Sequence, residues 1–207
     1  IEGYDTLLRW ARPSGEVIGP MPFLDTMTHA YDAITRPPLC AARQTSQWAV
    51  QERDKYISFN ISDAFILRVA NEGMGWIDEV VGDVQSNRIV FEVLESVVDN
   101  TNDVIAGVVY KLRKRGIRVA LDDFGTGHSN LKRLGKLDVD ILKIDRRFVW
   151  SAAQNARGFD IFSSMVELAQ RLGAQTIVEG IETEKHLRIA QQVGADSVQG
   201  FLLGYPK

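Results

Sequence analysis

The sequence predicts an α/β fold, and a barrel of parallel strands more readily than an open sheet. Three observations carry this prediction. Short runs rich in β-branched residues alternate with longer stretches of helical periodicity, about seven such units fit within 207 residues, and the runs repeatedly end in a polar side chain. Strand–helix alternation implies parallel pairing, because each crossover brings the chain back to start the next strand in the same direction. A single barrel domain of this length is ordinary.

The candidate strands follow in order. TLLRW (6–10), YISFN (56–60), RIVFE (88–92), RVALD (118–122), VDILKI (139–144), QTIVE (175–179) and SVQGF (197–201) are each short and apolar. Between them, apolar residues recur at spacings of three and four. The clearest helix places Ile161, Met165, Leu168 and Leu172 on one predicted face, with Gly173 as its C-cap. Pro37-Pro38 marks a helix boundary, and neither a linker nor a low-complexity segment interrupts the pattern. A single domain over 1–207 is the expectation.

Bulk properties narrow the function. A composition of 45% hydrophobic and 25% charged residues is that of a soluble domain, and the formal net charge of −3 argues against DNA or RNA duplexes and anionic lipid as partners. One cysteine, Cys40, excludes an internal disulfide and fits a reducing, cytoplasmic setting. No apolar run approaches the roughly 18 residues a bilayer-spanning helix needs. The chain opens at Ile1 without an initiator Met, so a longer parent protein is expected.

The polar strand ends point to a site. Asn60, Glu92, the pair Asp122 and Asp123, Lys143 with Asp145, Glu179 and Gln199 fall at or just past the ends of successive runs. In a parallel barrel these ends share one rim, so the groups converge although distant in sequence. Asn, Asp and Glu often cap helices, but Lys143 and Gln199 have no capping role. The segment VALDDFGTGHSNL (119–131) carries the strongest local signal: an apolar strand, two adjacent carboxylates, then a glycine turn. Two such anions repel unless a cation lies between them.

An oxygen-rich set of acids with one amide and one lysine suits magnesium or manganese, not zinc or copper. Of the three histidines, His29, His128 and His186, none ends a strand, and His186 falls on a helix predicted to be exposed. Acids on neighbouring strands can hold two cations about 3.5–4 Å apart, an arrangement that clamps a phosphodiester and activates water. Lys143 then orients that water or stabilises charge on phosphoryl oxygens. Against this stands a lysine locked in an ion pair with Asp145 or Glu179. A Schiff-base role for Lys143 conflicts with its acidic surroundings, which would keep the amine protonated.

Seven segments resemble one family. GYDTLLRW (3–10), SFNIS (58–62), FEVLES (91–96), ALDDFGTGHSNL (120–131), VDILKIDRRFV (139–149), IVEGIET (177–183) and VQGFLLGYP (198–206) are similar, in this order, to the EAL domains. These are bacterial, metal-dependent phosphodiesterases that hydrolyse cyclic di-GMP to linear pGpG on a modified TIM (β/α)8-like barrel.

The resemblance implies roles. Asp5, Asn60, Glu92 and Asp122 are expected to hold one metal, with Asp122 bridging to a second held by Asp123 and Glu179. Lys143, Glu179 and Asp123 form the catalytic group, with Lys143 touching the attacking water. Arg9 meets the substrate phosphate, Gln199 steadies the site, Glu182 is a secondary outer candidate, and Glu95 anchors the glycine loop after Asp123. Mg2+ or Mn2+, cyclic di-GMP, a homodimer and an upstream sensory or GGDEF-type domain are the implied cofactors and partners. A cytoplasmic location follows, with direct membrane insertion of this segment not expected.

Departures from the family pattern raise an alternative. The signature Glu-Ala-Leu reads Asp5-Thr6-Leu7, one methylene shorter at the acid. Leu94 stands where threonine is usual, His128 where an aromatic is usual, and no acid occupies the region of Thr28. The family's first strand is expected ahead of Ile1. A catalytically impaired domain that binds cyclic di-GMP or a protein partner is therefore the alternative to an active enzyme.

Overall fold

The computed structural model describes residues 3–6, 10–11, 14–18, 55–75, 77, 85–101, 103–126 and 134–205. The expectations for Arg9, Thr28, His29, Pro37-Pro38, Cys40 and His128 lie outside these residues. The fold is α/β, as predicted. Seven strands form one sheet in the order β1-β4-β5-β6-β7-β8-β9, where β1 is Gly3–Thr6, β4 Tyr56–Ile61, β5 Ile89–Leu94, β6 Arg118–Phe124, β7 Ile141–Ile144, β8 Gln175–Val178 and β9 Ser197–Val198. Apart from two short strands between β1 and β4 that pair with each other, the strands join the sheet in chain order. That is how a fold grows when helices return each strand beside the last.

The first strand differs from prediction. Its described part is Gly3–Thr6, which begins ahead of the expected 6–10; Leu7, Leu8 and Arg9 of that run lie outside the described residues, and Trp10–Ala11 (β2) pairs antiparallel with Val17–Ile18 (β3). β1 runs parallel to β4 with Gly3 beside Tyr56 and Asp5 beside Ser58. A Cβ on Gly3 would lie 2.5 Å from the Tyr56 ring, so only glycine admits that neighbour.

Two compact units make up the chain, one of Ile1–Glu92 with Asn100–Arg118, the other of Val93–Asp99 with Val119–Lys207. In the first, β4 buries Ile57, Phe59 and Ile61 and leads into helix α1 (Asp63–Glu72). Ser62 caps that helix by accepting from the Phe65 N–H at 3.3 Å. Phe65, Ile66 and Val69 form its buried stripe, and the Phe59 and Phe65 rings meet Phe91 edge-on at 6.3 and 5.2 Å. Helix α3 (Asp103–Lys114), which follows α2 (Glu95–Thr101), ends with Lys111, Arg113 and Lys114 where the helix dipole favours cations.

In the second unit β6, β7, β8 and β9 are mutually parallel neighbours. Helices α4 (Arg146–Gln154) and α5 (Ala156–Arg171) follow β7, and α6 (Glu184–Gln192) follows β8. Asp145, Asn155 and Thr183 cap the three helices through side-chain oxygens. The core joins Ile144 and Val178 from the strands to Val149, Phe162, Val166 and Ile189 from the helices. At the entry ends of the strands, Asp140 accepts from the Val119 N–H, and Asp196 accepts from both the N–H and hydroxyl of Thr176. These carboxylates tie adjacent strands together where no chemistry is expected.

Helix α5 exists where predicted, but its face is rotated. Phe162, Val166 and Ala169 are buried, whereas Ile161 is 46% and Leu172 45% exposed. Both sets obey the same three-and-four spacing, and packing selects the one that carries the aromatic.

Candidate metal-binding and catalytic site

The second unit brings four predicted side chains together. β6, β7 and β8 lie side by side, and their C-terminal ends carry Asp122 and Asp123, Lys143, and Glu179. Lys143 pairs with Ile177, so Glu179, two residues further on, points to the same face of the sheet. Glu179 is held there by its N–H, which donates to the Ile144 carbonyl at 3.0 Å.

Two adjacent strand residues ordinarily face opposite sides. Asp122 and Asp123 escape this rule through an irregularity in β6. Leu121 pairs with Leu142 while Phe124 pairs with Ile144, so the bulged strand holds two residues against one. Asp123 takes a left-handed conformation at φ 56°, the only described non-glycine residue to do so. Its N–H donates to Asp122 Oδ1 at 3.0 Å. The result is that carboxylate oxygens of Asp122, Asp123 and Glu179 all lie within 4.8 Å of one another.

Lys143 sits among them, 2% exposed, with its ammonium 3.1 Å from Asp122 and 2.9 Å from Glu179. It does not pair with Asp145, which instead caps α4 and binds Arg147 at 2.8 Å. Among the described residues, three carboxylates thus face one ammonium. Burial, then the neighbouring Asp122 and Asp145 charges, pushes the Asp123 carboxyl above its usual range. Burial does the same for Glu179, opposed by Lys143. Such a surplus of part-buried negative charge is relieved by a cation, and an all-oxygen donor set selects a hard divalent one. These residues therefore fit a divalent metal, with Asp122, Asp123 and Glu179 to hold it.

The loop after Asp123 is seated from two sides. Gly125 N–H donates to Glu95 Oε2 at 3.1 Å, and Glu95 is itself buried. Gly125, at φ 92°, packs so closely that a Cβ would come within 2.7 Å of the Phe148 ring and 2.6 Å of the Met165 methyl. The sequence placed Met165 only on a helix face and gave Phe148 no role, so neither was expected to seat this loop. The glycine-rich turn was the available signal, since a glycine with both positive φ and close neighbours implies a partner that fills the space.

The remaining candidates are placed individually. In the first unit, Asp5 Oδ1 accepts from the Ser58 hydroxyl at 3.2 Å, Asn60 is an exposed residue of β4, and Glu92 is buried in β5. Gln199 follows β9, its N–H donating to Val178 and its carbonyl accepting from Ile181. Leu94 is 39% exposed. Glu182 is exposed, and its N–H faces His186 Nδ1 at 3.4 Å. His186 is half-buried with its ring stacked on Trp150, so it belongs to the packing around α4 and not to solvent as its helical position predicted. Arg9 is outside the described residues.

With this geometry in hand, the relatives become informative. The EAL domain family description matches residues 1–206, and the chain belongs to that family. Among its curated relatives is the "Bifunctional diguanylate cyclase/cyclic di-GMP phosphodiesterase MucR" of Pseudomonas aeruginosa, 29% identical over 99% of this chain and 30% of the relative. "Cyclic di-GMP phosphodiesterase PA2567" of the same organism is 27% identical over 99% of the chain and 35% of its own length. The chain thus spans about a third of the length of these two relatives. A solved structure described as "PaMucR Phosphodiesterase, c-di-GMP complex" superposes with a TM-score of 0.81 at 30% identity, over 99% of this chain and 84% of that one. The likeness is consistent with the modified TIM barrel expected from the motifs. Among the described residues, no helix is long and apolar enough to cross a membrane.

Proposed function

We propose that this chain is the phosphodiesterase domain of a cyclic di-GMP signalling protein, hydrolysing cyclic di-GMP to linear pGpG with two divalent cations, Mg2+ or Mn2+. The observation that carries the proposal is the acid triangle of Asp122, Asp123 and Glu179 closed around Lys143. It is supported by membership of the EAL family and by the names of relatives matched over nearly the whole chain.

Asp5, Asn60, Glu92 and Asp122 are proposed to hold one cation, and Asp122, Asp123 and Glu179 the other. When bound, the cations supply Lewis acidity at phosphorus and lower the pKa of water. The chain's own residues do the rest. Lys143, ion-paired with Asp122 and Glu179, stabilises the negative charge that grows on phosphoryl oxygens as the bond to the ribose 3′ oxygen breaks. Glu179 is the base candidate, because burial raises its affinity for a proton. Arg9 and Gln199 are proposed to meet substrate, and Glu95 to hold the loop that carries Asp123. The whole protein is proposed to act as a homodimer in the cytoplasm, with an upstream sensory or GGDEF-type domain.

Turnover of cyclic di-GMP in the presence of Mg2+ or Mn2+, in the wild type and in Asp5→Glu, tests the proposal. Hydrolysis by the wild type supports an active enzyme, with Asp5→Glu changing the rate by no more than about tenfold, the span of one hydrogen-bond-sized adjustment. A wild type that binds the nucleotide without turnover, and gains activity on Asp5→Glu, would establish the receptor alternative instead.

A further inference from the structure

We propose that Trp150 is a positioning residue for Glu179, acting through the main chain that follows it. This rests on the metal-site reading above and deepens it. Glu179 and Gly180 are flanked by two pinned peptide units. The unit joining Val178 to Glu179 has its N–H on the Ile144 carbonyl and its C=O on the Gln199 N–H, at 3.0 and 2.8 Å. The unit joining Gly180 to Ile181 has its N–H on the Gln199 carbonyl at 3.0 Å, and its C=O accepts from the Trp150 indole N–H at 2.9 Å. Of these four holding groups, three are backbone. The fourth is a side chain, so it is the one that a substitution removes cleanly.

The indole is itself held in place. The Arg146 guanidinium lies 5.0 Å from the ring centre, and the His186 ring stacks on it at 6.3 Å with 27° between planes. Gly180 is left-handed at φ 67°, and a Cβ there would lie 2.2 Å from the Arg146 Cβ. The turn after Glu179 therefore rests on the first turn of α4, the helix that begins directly after the strand bearing Lys143. Trp150 links the two elements whose side chains meet at 2.9 Å. Such a link matters most for a ligand set, because metal affinity falls steeply when a carboxylate is free to swing.

The test is Mn2+ binding by calorimetry to this chain without nucleotide, for the wild type, Trp150→Phe, and a variant with 3-benzothienylalanine at position 150. The last keeps the bicyclic shape and replaces the N–H by sulfur. Phe162→Leu, in the same core but without a bond to the turn, serves as the packing control. The expected result is Mn2+ affinity about three- to tenfold weaker in both position-150 variants, the effect of one hydrogen bond. The Michaelis constant for cyclic di-GMP should stay unchanged while kcat at limiting Mn2+ falls. Phe162→Leu should lower the melting temperature without moving Mn2+ affinity. Affinity within twofold of wild type in the benzothienyl variant would overturn the role of Trp150, as would an equal loss in Phe162→Leu. A wild type that binds no Mn2+ would overturn the metal reading together with it.

Discussion

The ammonium of Lys143 lies 2.9 Å from Glu179 Oε1, with 2% of the lysine side chain exposed. A cation so buried is tolerable only because carboxylates surround it, and they in turn depend on it. Lys143→Met should therefore destabilise the metal-free protein by about 3–5 kcal/mol. Added Mn2+ should restore part of that loss by neutralising the same acids, and turnover should fall by at least about 10²-fold. Chemical denaturation with and without Mn2+ checks this. A metal-free variant as stable as the wild type would remove the lysine from its neutralising role.

Asp122 is the acid placed next to both Lys143 and Asp123. Asp122→Asn keeps its shape and removes its charge. Turnover should drop by about 10²-fold or more, because the charge proposed to bridge two cations is lost. Steady-state hydrolysis at saturating Mg2+ is the measurement, and retained activity would refute the metal assignment.

Asp123 predicts an unusual pH dependence. Its folded-state pKa is raised, chiefly by burial and then by Asp122 and Asp145. For a raised acid the penalty is absent below the ordinary carboxylate value and appears as pH climbs through the folded value. The metal-free protein should thus gain stability from this group as pH falls from that raised value toward the ordinary carboxylate value, and change little between neutrality and the raised value. Asp123→Asn should be more stable than wild type at neutral pH, by less than about 1 kcal/mol because water screens a half-exposed group. Mn2+ should reverse the order, since it binds the charged form. Melting curves across pH, with and without metal, decide it.

Glu95 accepts from the Gly125 N–H at 3.1 Å and is 7% exposed. Glu95→Ala leaves that amide without its carboxylate acceptor. A stability loss of about 1–3 kcal/mol is expected, with turnover reduced about tenfold or more as Asp123 loses support. Hydrogen exchange at the Gly125 amide should accelerate selectively. Unchanged protection there would show that the loop is held by Phe148 and Met165 instead.

Much of this was legible in the residues. Runs such as RVALD and QTIVE are strands because β-branched and apolar side chains pack well on a pleated surface, and their polar ends mark where the strand leaves the core. The strand at Gly3–Thr6 was not legible because TLLRW is the more apolar segment. Gly3–Thr6 is chosen by its fit beside Tyr56, a contact with a residue more than fifty positions away. Helix α5 was legible in extent and not in orientation, because two interleaved stripes satisfy one periodicity.

By itself, the sequence determined which elements form, the order in which they carry acids and lysine, and the hard, oxygen-rich character of the candidate site. Tertiary structure alone decided that Asp122 and Asp123 serve the same face, that Lys143 pairs with Asp122 and Glu179 instead of Asp145, and that Trp150 reaches Gly180. The reason is physical. Strand alternation would have separated the two aspartates, and the bulge that unites them is defined only by pairing with β7.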